Sequence, residues 1–186
     1  VDAYAQIGHG ARNSTARNRH GNITITGETA GVGVDDLVLE GGTGVGAMAM
    51  IGNGGFDVDG DKQGDITIDG IGTADPNGDG DGGSNLTVSG GRETAAGLDD
   101  AGIDSFAQIG HGGRNSTSTR RGNVTMTGLN DVTLQAGSAN RNYAQIGLGG
   151  HTANNSVASP SAISIEMVGD LTLNGGTDAT STDAYA

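Results

Sequence analysis

One seven-residue phrase, written several times, constrains this chain more than any other feature. Tyr4-Ala-Gln-Ile-Gly-His-Gly10 returns as Phe106-Ala-Gln-Ile-Gly-His-Gly112 and as Tyr143-Ala-Gln-Ile-Gly-Leu-Gly149. A worn copy, Met48-Ala-Met-Ile-Gly-Asn-Gly54, lies between the first two, and the closing Asp183-Ala-Tyr-Ala186 matches Asp2-Ala-Tyr-Ala5. Arg12-Asn-Ser-Thr15 likewise recurs as Arg114-Asn-Ser-Thr117. The units are 4–47, 48–105, 106–142 and 143–184. Repeats at intervals of ~20–50 residues belong to architectures in which each unit buries its apolar face against the next. The whole chain therefore reads as one stacked domain. Since both ends fall inside or beside a repeat, it is expected to be a segment of a longer filament whose caps lie elsewhere.

Within each unit three short runs have strand character. The first is the Ala-Gln-Ile run. The second comprises Asn22-Ile-Thr-Ile-Thr26, Asp65-Ile-Thr-Ile-Asp69, Asn123-Val-Thr-Met-Thr127 and Ala162-Ile-Ser-Ile-Glu166. The third comprises Asp36-Leu-Val-Leu-Glu40, Asn85-Leu-Thr-Val-Ser89, Asp131-Val-Thr-Leu-Gln135 and Asp170-Leu-Thr-Leu-Asn174. The last two families alternate apolar and polar residues, the pattern of a half-buried strand, and no apolar stripe of helical period competes. Aligning the units places Ile23, Ile66, Val124 and Ile163 in one inward column and Leu37, Leu86, Val132 and Leu171 in another. Ala5, Ala49, Ala107 and Ala144 stand beside Ile7, Ile51, Ile109 and Ile146. The predicted fold is all-β, a right-handed parallel β-helix (a β-solenoid) with three parallel sheets and about one rung per imperfect repeat. Handedness here follows the general rule for parallel crossovers. Two thinner rungs per repeat is the competing count.

That architecture resolves a conflict with composition. The chain has 186 residues, 37 of them Gly, with a net charge of −13 and no Cys or Trp; Leu, Ile, Val and Phe supply fewer than one residue in five. Such a balance ordinarily signals disorder, but a narrow stacked core needs few hydrophobes. The same numbers exclude whole classes. Nucleic acid is not an expected partner, because nine Lys and Arg against 22 Asp and Glu cannot displace counterions along a duplex. No apolar run approaches the ~20 residues of a membrane-spanning helix. Without Cys there is no disulfide framework and no thiolate metal site.

Taken together, the (Tyr/Phe)-Ala-Gln-Ile-Gly-His-Gly phrase and the Gly-Asn-(Ile/Val)-Thr and Asp-(Leu/Val)-Thr-Leu strands resemble the filamentous-haemagglutinin-like adhesins. These are large bacterial exoproteins exported by two-partner secretion, some of which hold biofilm matrix together. The resemblance extends over essentially the whole chain as a style of repeat. It implies a rod secreted to the surface of a Gram-negative bacterium, and it brings no catalytic residues. The secretion domain of that family has no counterpart in these residues.

Several local features suggest chemistry. The second unit carries Asp57, Asp59 and Asp61, then Asp75, Asn77, Asp79 and Asp81, oxygen ligands at alternate positions with Gly at the turns. They are candidate calcium ligands by likeness to the first half of an EF-hand loop. The closing Glu of such a loop is missing, since Leu86 stands at the twelfth place from Asp75, and a solvated turn is the plainer reading. No other cofactor is indicated. Arg12, Arg17, Arg19, Arg114, Arg120 and Arg121 are the one basic concentration. Stacked on one side they would form a stripe for an acidic polysaccharide or a carboxylate-bearing partner; compensation by nearby acidic loops is the alternative. His9 and His111 share a repeat position but are expected two rungs apart, too far for one metal, and suit a corner residue bonded to backbone. His20 and His151 are loop histidines. Tyr4, Phe106, Tyr143 and Tyr185 form a column that reads as corner packing. Outward Thr24, Thr67, Thr125 and Ser164 resemble an ice-binding row, but Asp69 and Glu166 interrupt the column beside it.

Three functions follow from different classes. The leading expectation is a structural and adhesive rod segment that binds extracellular polysaccharide or a cell-surface partner by avidity and can associate laterally. A passive spacer is the second. A polysaccharide-active β-helix enzyme is the third, disfavoured because the acidic residues do not recur in facing pairs. The chain is therefore expected not to be an enzyme.

Overall fold

The chain is described here by a computed structural model covering residues 3–15, 17–26, 36–69, 84–92, 103–154, 157–176 and 184–186. It is all-β, with no helix among the described residues, and hence none there that is long and apolar enough to cross a membrane. The first repeat supplies β1 (Tyr4–Ile7), β2 (Gly10–Ser14), β3 (Arg19–His20), β4 (Ile23–Thr26) and β5 (Asp36–Glu40). The second supplies β6 (Met48–Ile51), β7 (Gly54–Val58), β8 (Lys62–Gln63), β9 (Ile66–Asp69) and β10 (Asn85–Ser89). From the third come β11 (Phe106–Ile109), β12 (Arg120–Arg121), β13 (Val124–Leu129) and β14 (Val132–Gln135), and from the fourth β15 (Tyr143–Ile146), β16 (Ile163–Met167) and β17 (Leu171–Asn174).

Three four-stranded sheets take one strand from each repeat, in repeat order: β1-β6-β11-β15, β4-β9-β13-β16 and β5-β10-β14-β17. Every pairing is parallel, and Ile23 lies opposite Ile66, Ile66 opposite Val124, and Val124 opposite Ile163. The expected columns are thus the observed ones. Three sheets, however, were too few. A three-stranded sheet, β3-β8-β12, and a two-stranded sheet, β2-β7, join them, built from segments with no apolar alternation.

Period-two alternation accounts for the core. Ile66, Ile68, Leu86, Val88, Ala107, Ile109, Val124 and Met126 are fully or almost fully buried in one cluster, while Thr24, Thr67 and Thr125 turn outward on the same strands. In the first and fourth repeats the same columns are more open: Ile7 is 52% exposed and Leu173 58%. The opposite face of β6 and β11 is covered as well. There Met48, Phe56, Phe106 and Tyr143 form a second cluster. The rings of Phe106 and Tyr143 stack at 4.8 Å between centroids, and Tyr143 stacks on Tyr185 at 5.1 Å.

Glycine sets how closely repeats approach. Gly52 and Gly110 adopt φ of +154° and +141°, and a Cβ on either would lie 1.8 or 1.9 Å from the carbonyl oxygen of Gly110 or Gly147 in the next repeat. Only a residue without a side chain fits there.

Candidate functional site

In the second and third repeats the middle residue of Gly-X-Gly, Asn53 or His111, is buried and joins neighbouring repeats through hydrogen bonds, whereas His9 in the first is exposed. Asn53 is fully buried. Its Oδ1 accepts from the His9 backbone N–H at 3.0 Å, and its Nδ2 donates to the carbonyls of Gly21 and Gln63, each at 3.0 Å. Its own N–H donates to His111 Nδ1 at 3.0 Å, and His111 Nε2 lies 2.7 Å from the Gly64 carbonyl oxygen. The tautomer that serves both contacts carries its hydrogen on Nε2. Burial lowers the His111 pKa, only partly opposed by the bond to Gly64 and by Asp65. His111 is thus a corner residue bonded to backbone.

Along the sheet β3-β8-β12, Arg19, Lys62 and Arg120 lie directly opposite one another and are all buried. Buried cations are tolerated only where their donors are met, and here carbonyl oxygens meet them. Lys62 Nζ donates to Val58 and Thr117 at 2.8 and 2.6 Å. Arg19 reaches the Arg17 carbonyl and the Ser14 hydroxyl, both at 2.6 Å, and Arg120 reaches the Ser116 carbonyl. Burial, reinforced by Arg120 and Arg19 and opposed by Asp59 and Asp61, brings the Lys62 ammonium down to about 8.

The six arginines singled out from sequence therefore separate. Arg19 and Arg120 point inward. Arg12 and Arg114 are half-buried over the Phe56 ring, 4.3 and 4.8 Å from its centroid, a favourable placement for a guanidinium. Arg114 also pairs with the buried Asp104 at 2.9 Å, and Arg141 donates to both of that carboxylate's oxygens. Arg17 and Arg121 remain exposed.

Asp57, Asp59 and Asp61 each engage the third repeat. Asp57 Oδ1 accepts from Asn115 Nδ2 at 2.7 Å, Asp59 Oδ1 from the Thr117 hydroxyl, and Asp61 Oδ1 from the Thr119 backbone N–H at 3.1 Å. Among the described residues no group of three His, Asp or Glu is placed to hold a metal ion. Asp75, Asn77, Asp79 and Asp81 lie outside the described residues.

No protein-family model, curated protein or solved structure matches this chain.

Sequence reasoning passed over Asn53, Lys62 and Asp104. In sequence Asn53 stands only as part of the worn Met48–Gly54 copy, and Lys62 lies outside the set of arginines. The signal was present nonetheless. Arg19-His-Gly-Asn, Lys62-Gln-Gly-Asp and Arg120-Arg-Gly-Asn place a cation at one position in three successive repeats.

Proposed function

We propose that the chain is a rod-forming, adhesive segment of a large secreted bacterial surface or biofilm-matrix protein, its repeats wound as a right-handed parallel β-helix with one rung per repeat. The observation that carries this reading is the parallel pairing of four successive repeats in all three principal sheets, in continuous register except for one shift between β13 and β16 after Met126. A stack of this kind can be lengthened by adding repeats, and its loops recur at fixed intervals along one axis. Weak contacts repeated at such intervals add by avidity, without any single strong site. Extracellular polysaccharide is the proposed ligand, and the resemblance to filamentous-haemagglutinin-like exoproteins supports two-partner secretion to a Gram-negative cell surface. Calcium binding by the acidic inserts of the second repeat belongs to the same proposal.

Beads carrying the folded chain at graded density, passed in flow over films of extracellular polysaccharide, test it. Retention should rise more steeply than coating density. Absence of retention at every density, from a chain that melts cooperatively, would overturn the adhesive reading in favour of a passive stalk.

A further inference from the structure

The outer surface carries a groove. It encloses about 570 Å³ and runs along the stack where the sheet β3-β8-β12 turns into β4-β9-β13-β16. Three stacked tripeptides form it: His20-Gly-Asn22, Gln63-Gly-Asp65 and Arg121-Gly-Asn123, with Pro160 at one end. Gly21, Gly64 and Gly122 stand between the two walls, and they let the repeats close up: a Cβ on Gly64 or Gly122 would lie 2.1 or 1.7 Å from the carbonyl oxygen of the glycine in the preceding repeat. At ~4.8 Å between parallel strands, the three tripeptides span roughly 10 Å along the stack.

Its two walls differ in what they have left to offer. Asn22, Asp65 and Asn123 are held rigidly, each Oδ1 accepting the backbone N–H of the next repeat: Asp65 at 2.9 Å, Asn123 at 2.8 Å and Ala162 at 3.0 Å. The second carboxylate oxygen of Asp65 stays uncommitted. On the other wall His20, Gln63 and Arg121 are exposed, and their side chains bond to no protein group among the described residues. A preorganised wall facing a row of unspent donors and acceptors is the composition of a ligand groove, and the volume is that of a small-molecule site.

Charge selects the ligand. Four of the nine cations of a chain with net charge −13 sit on β3, β8 and β12: Arg19, Lys62, Arg120 and Arg121. The first three are buried on the inner face of the strands whose outer face forms the wall, so they add a positive field behind it. Arg121 can take a carboxylate through two parallel hydrogen bonds. Asp65 accepts from hydroxyls, and Gln63 and His20 can donate or accept. None of the residues lining the groove is Phe, Tyr or Trp, so recognition rests on hydrogen bonds and charge. The groove is lined by three successive repeats, a run that suits a linear chain.

We infer that the groove at His20, Gln63, Asp65 and Arg121 binds a stretch of carboxylate-bearing (uronate) polysaccharide, Arg121 holding a carboxylate while Asp65, Gln63 and His20 hold hydroxyls. This rests on the polysaccharide-binding reading above and gives it a location. Titration calorimetry with oligogalacturonate, and with a neutral oligogalactose of equal length, tests it on the whole chain. Wild type should prefer the uronate at least tenfold. Arg121→Gln should weaken that binding at least tenfold, His20→Ala/Gln63→Ala should weaken it severalfold, and Arg17→Gln, an exposed arginine that does not line the groove, should leave it unchanged. Equal affinity of Arg121→Gln and wild type, equal losses from Arg17→Gln and Arg121→Gln, or no uronate binding by wild type would each overturn the groove. Bead retention on polysaccharide films reads the adhesive proposal separately: retention that survives Arg121→Gln would remove the groove and leave that proposal standing.

Discussion

The backbone N–H of Asn53 points at Nδ1 of His111 from 3.0 Å, across the boundary between two repeats. A proton on that nitrogen would set two donors against each other in a site from which water is excluded. His111 must therefore be neutral for the second and third repeats to sit as they do.

Acid should loosen the stack. The His111 pKa is lowered in the fold from its ordinary 6.5, so below 6.5 the unfolded chain takes up a proton that the folded chain resists. Stability is complete above that pH and falls as pH drops through it. Thermal melts between pH 7.5 and 5 should show the decline. His111→Asn, which copies the residue found at position 53, should flatten the slope in this window at a cost of about 1–2 kcal/mol. An unchanged slope would remove His111 as its source.

Lys62 should act in the opposite range. Its pKa falls from 10.5 to about 8, because burial and the neighbouring Arg120 and Arg19 penalise the charged form. Between those values the unfolded chain binds the proton and the folded chain does not, so stability should rise with pH above 8. Near pH 10 the gain meets an opposing effect, since burial raises the Tyr143 phenol well above its ordinary 10.0 and the unfolded chain ionises first. Chemical denaturation at pH 7.5, 8.5 and 9.5 should give increasing midpoints in wild type and a flatter series in Lys62→Met. A steady decline in wild type would contradict the buried cation column.

Glycine substitutions should divide sharply by position. Gly110→Ala forces a Cβ to within 1.9 Å of the Gly147 carbonyl oxygen, at φ +141°. The positive φ alone costs about 1–3 kcal/mol, and the clash adds to it, so a marginal domain should lose its cooperative melt. Gly175→Ala, where a Cβ would meet nothing within 4 Å, should stay within about 0.5 kcal/mol of wild type.

Core and surface should likewise separate on a single sheet. Leu86 is fully buried, whereas Val38, on the paired strand, is 59% exposed. Leu86→Ala should cost about 2–5 kcal/mol and Val38→Ala less than about 0.5 kcal/mol, read from denaturation midpoints. Comparable losses at both would place the core on the wrong face.

The parts of the fold that were legible in sequence are those in which burial follows hydrophobicity. Ile23-Thr-Ile and Leu86-Thr-Val announce their inward residues by alternation, and the repeats set their register. The β3-β8-β12 sheet was hidden because its inward residues are Arg19, Lys62 and Arg120, and a hydrophobic pattern assigns charges to the surface. Carbonyl oxygens from neighbouring turns satisfy those charges, and such partners cannot be read from composition. For the same reason the arginine stripe divided on folding. Only Arg17 and Arg121 kept the exposure that the stripe required, while Phe56 and Asp104 drew in Arg12 and Arg114. His20 gave no sign of a partner until the fold set it beside Gln63 and Arg121.

Disulfide trapping tests the central claim, one repeat stacked in register on the next, most directly, because the chain contains no cysteine of its own. Thr67 and Thr125 are 58 residues apart in sequence yet directly opposite in the β9–β13 pairing. At ~4.8 Å between strands they fall within the ~4.4–6.8 Å that a disulfide spans between Cα atoms. Thr24 and Thr125 flank Thr67 on either side and are separated by about twice the strand spacing. Under mild oxidation the Thr67→Cys/Thr125→Cys variant should close its disulfide within the monomer, and Thr24→Cys/Thr125→Cys should not. Closure of the second pair, or failure of the first in a folded sample, would contradict the stack.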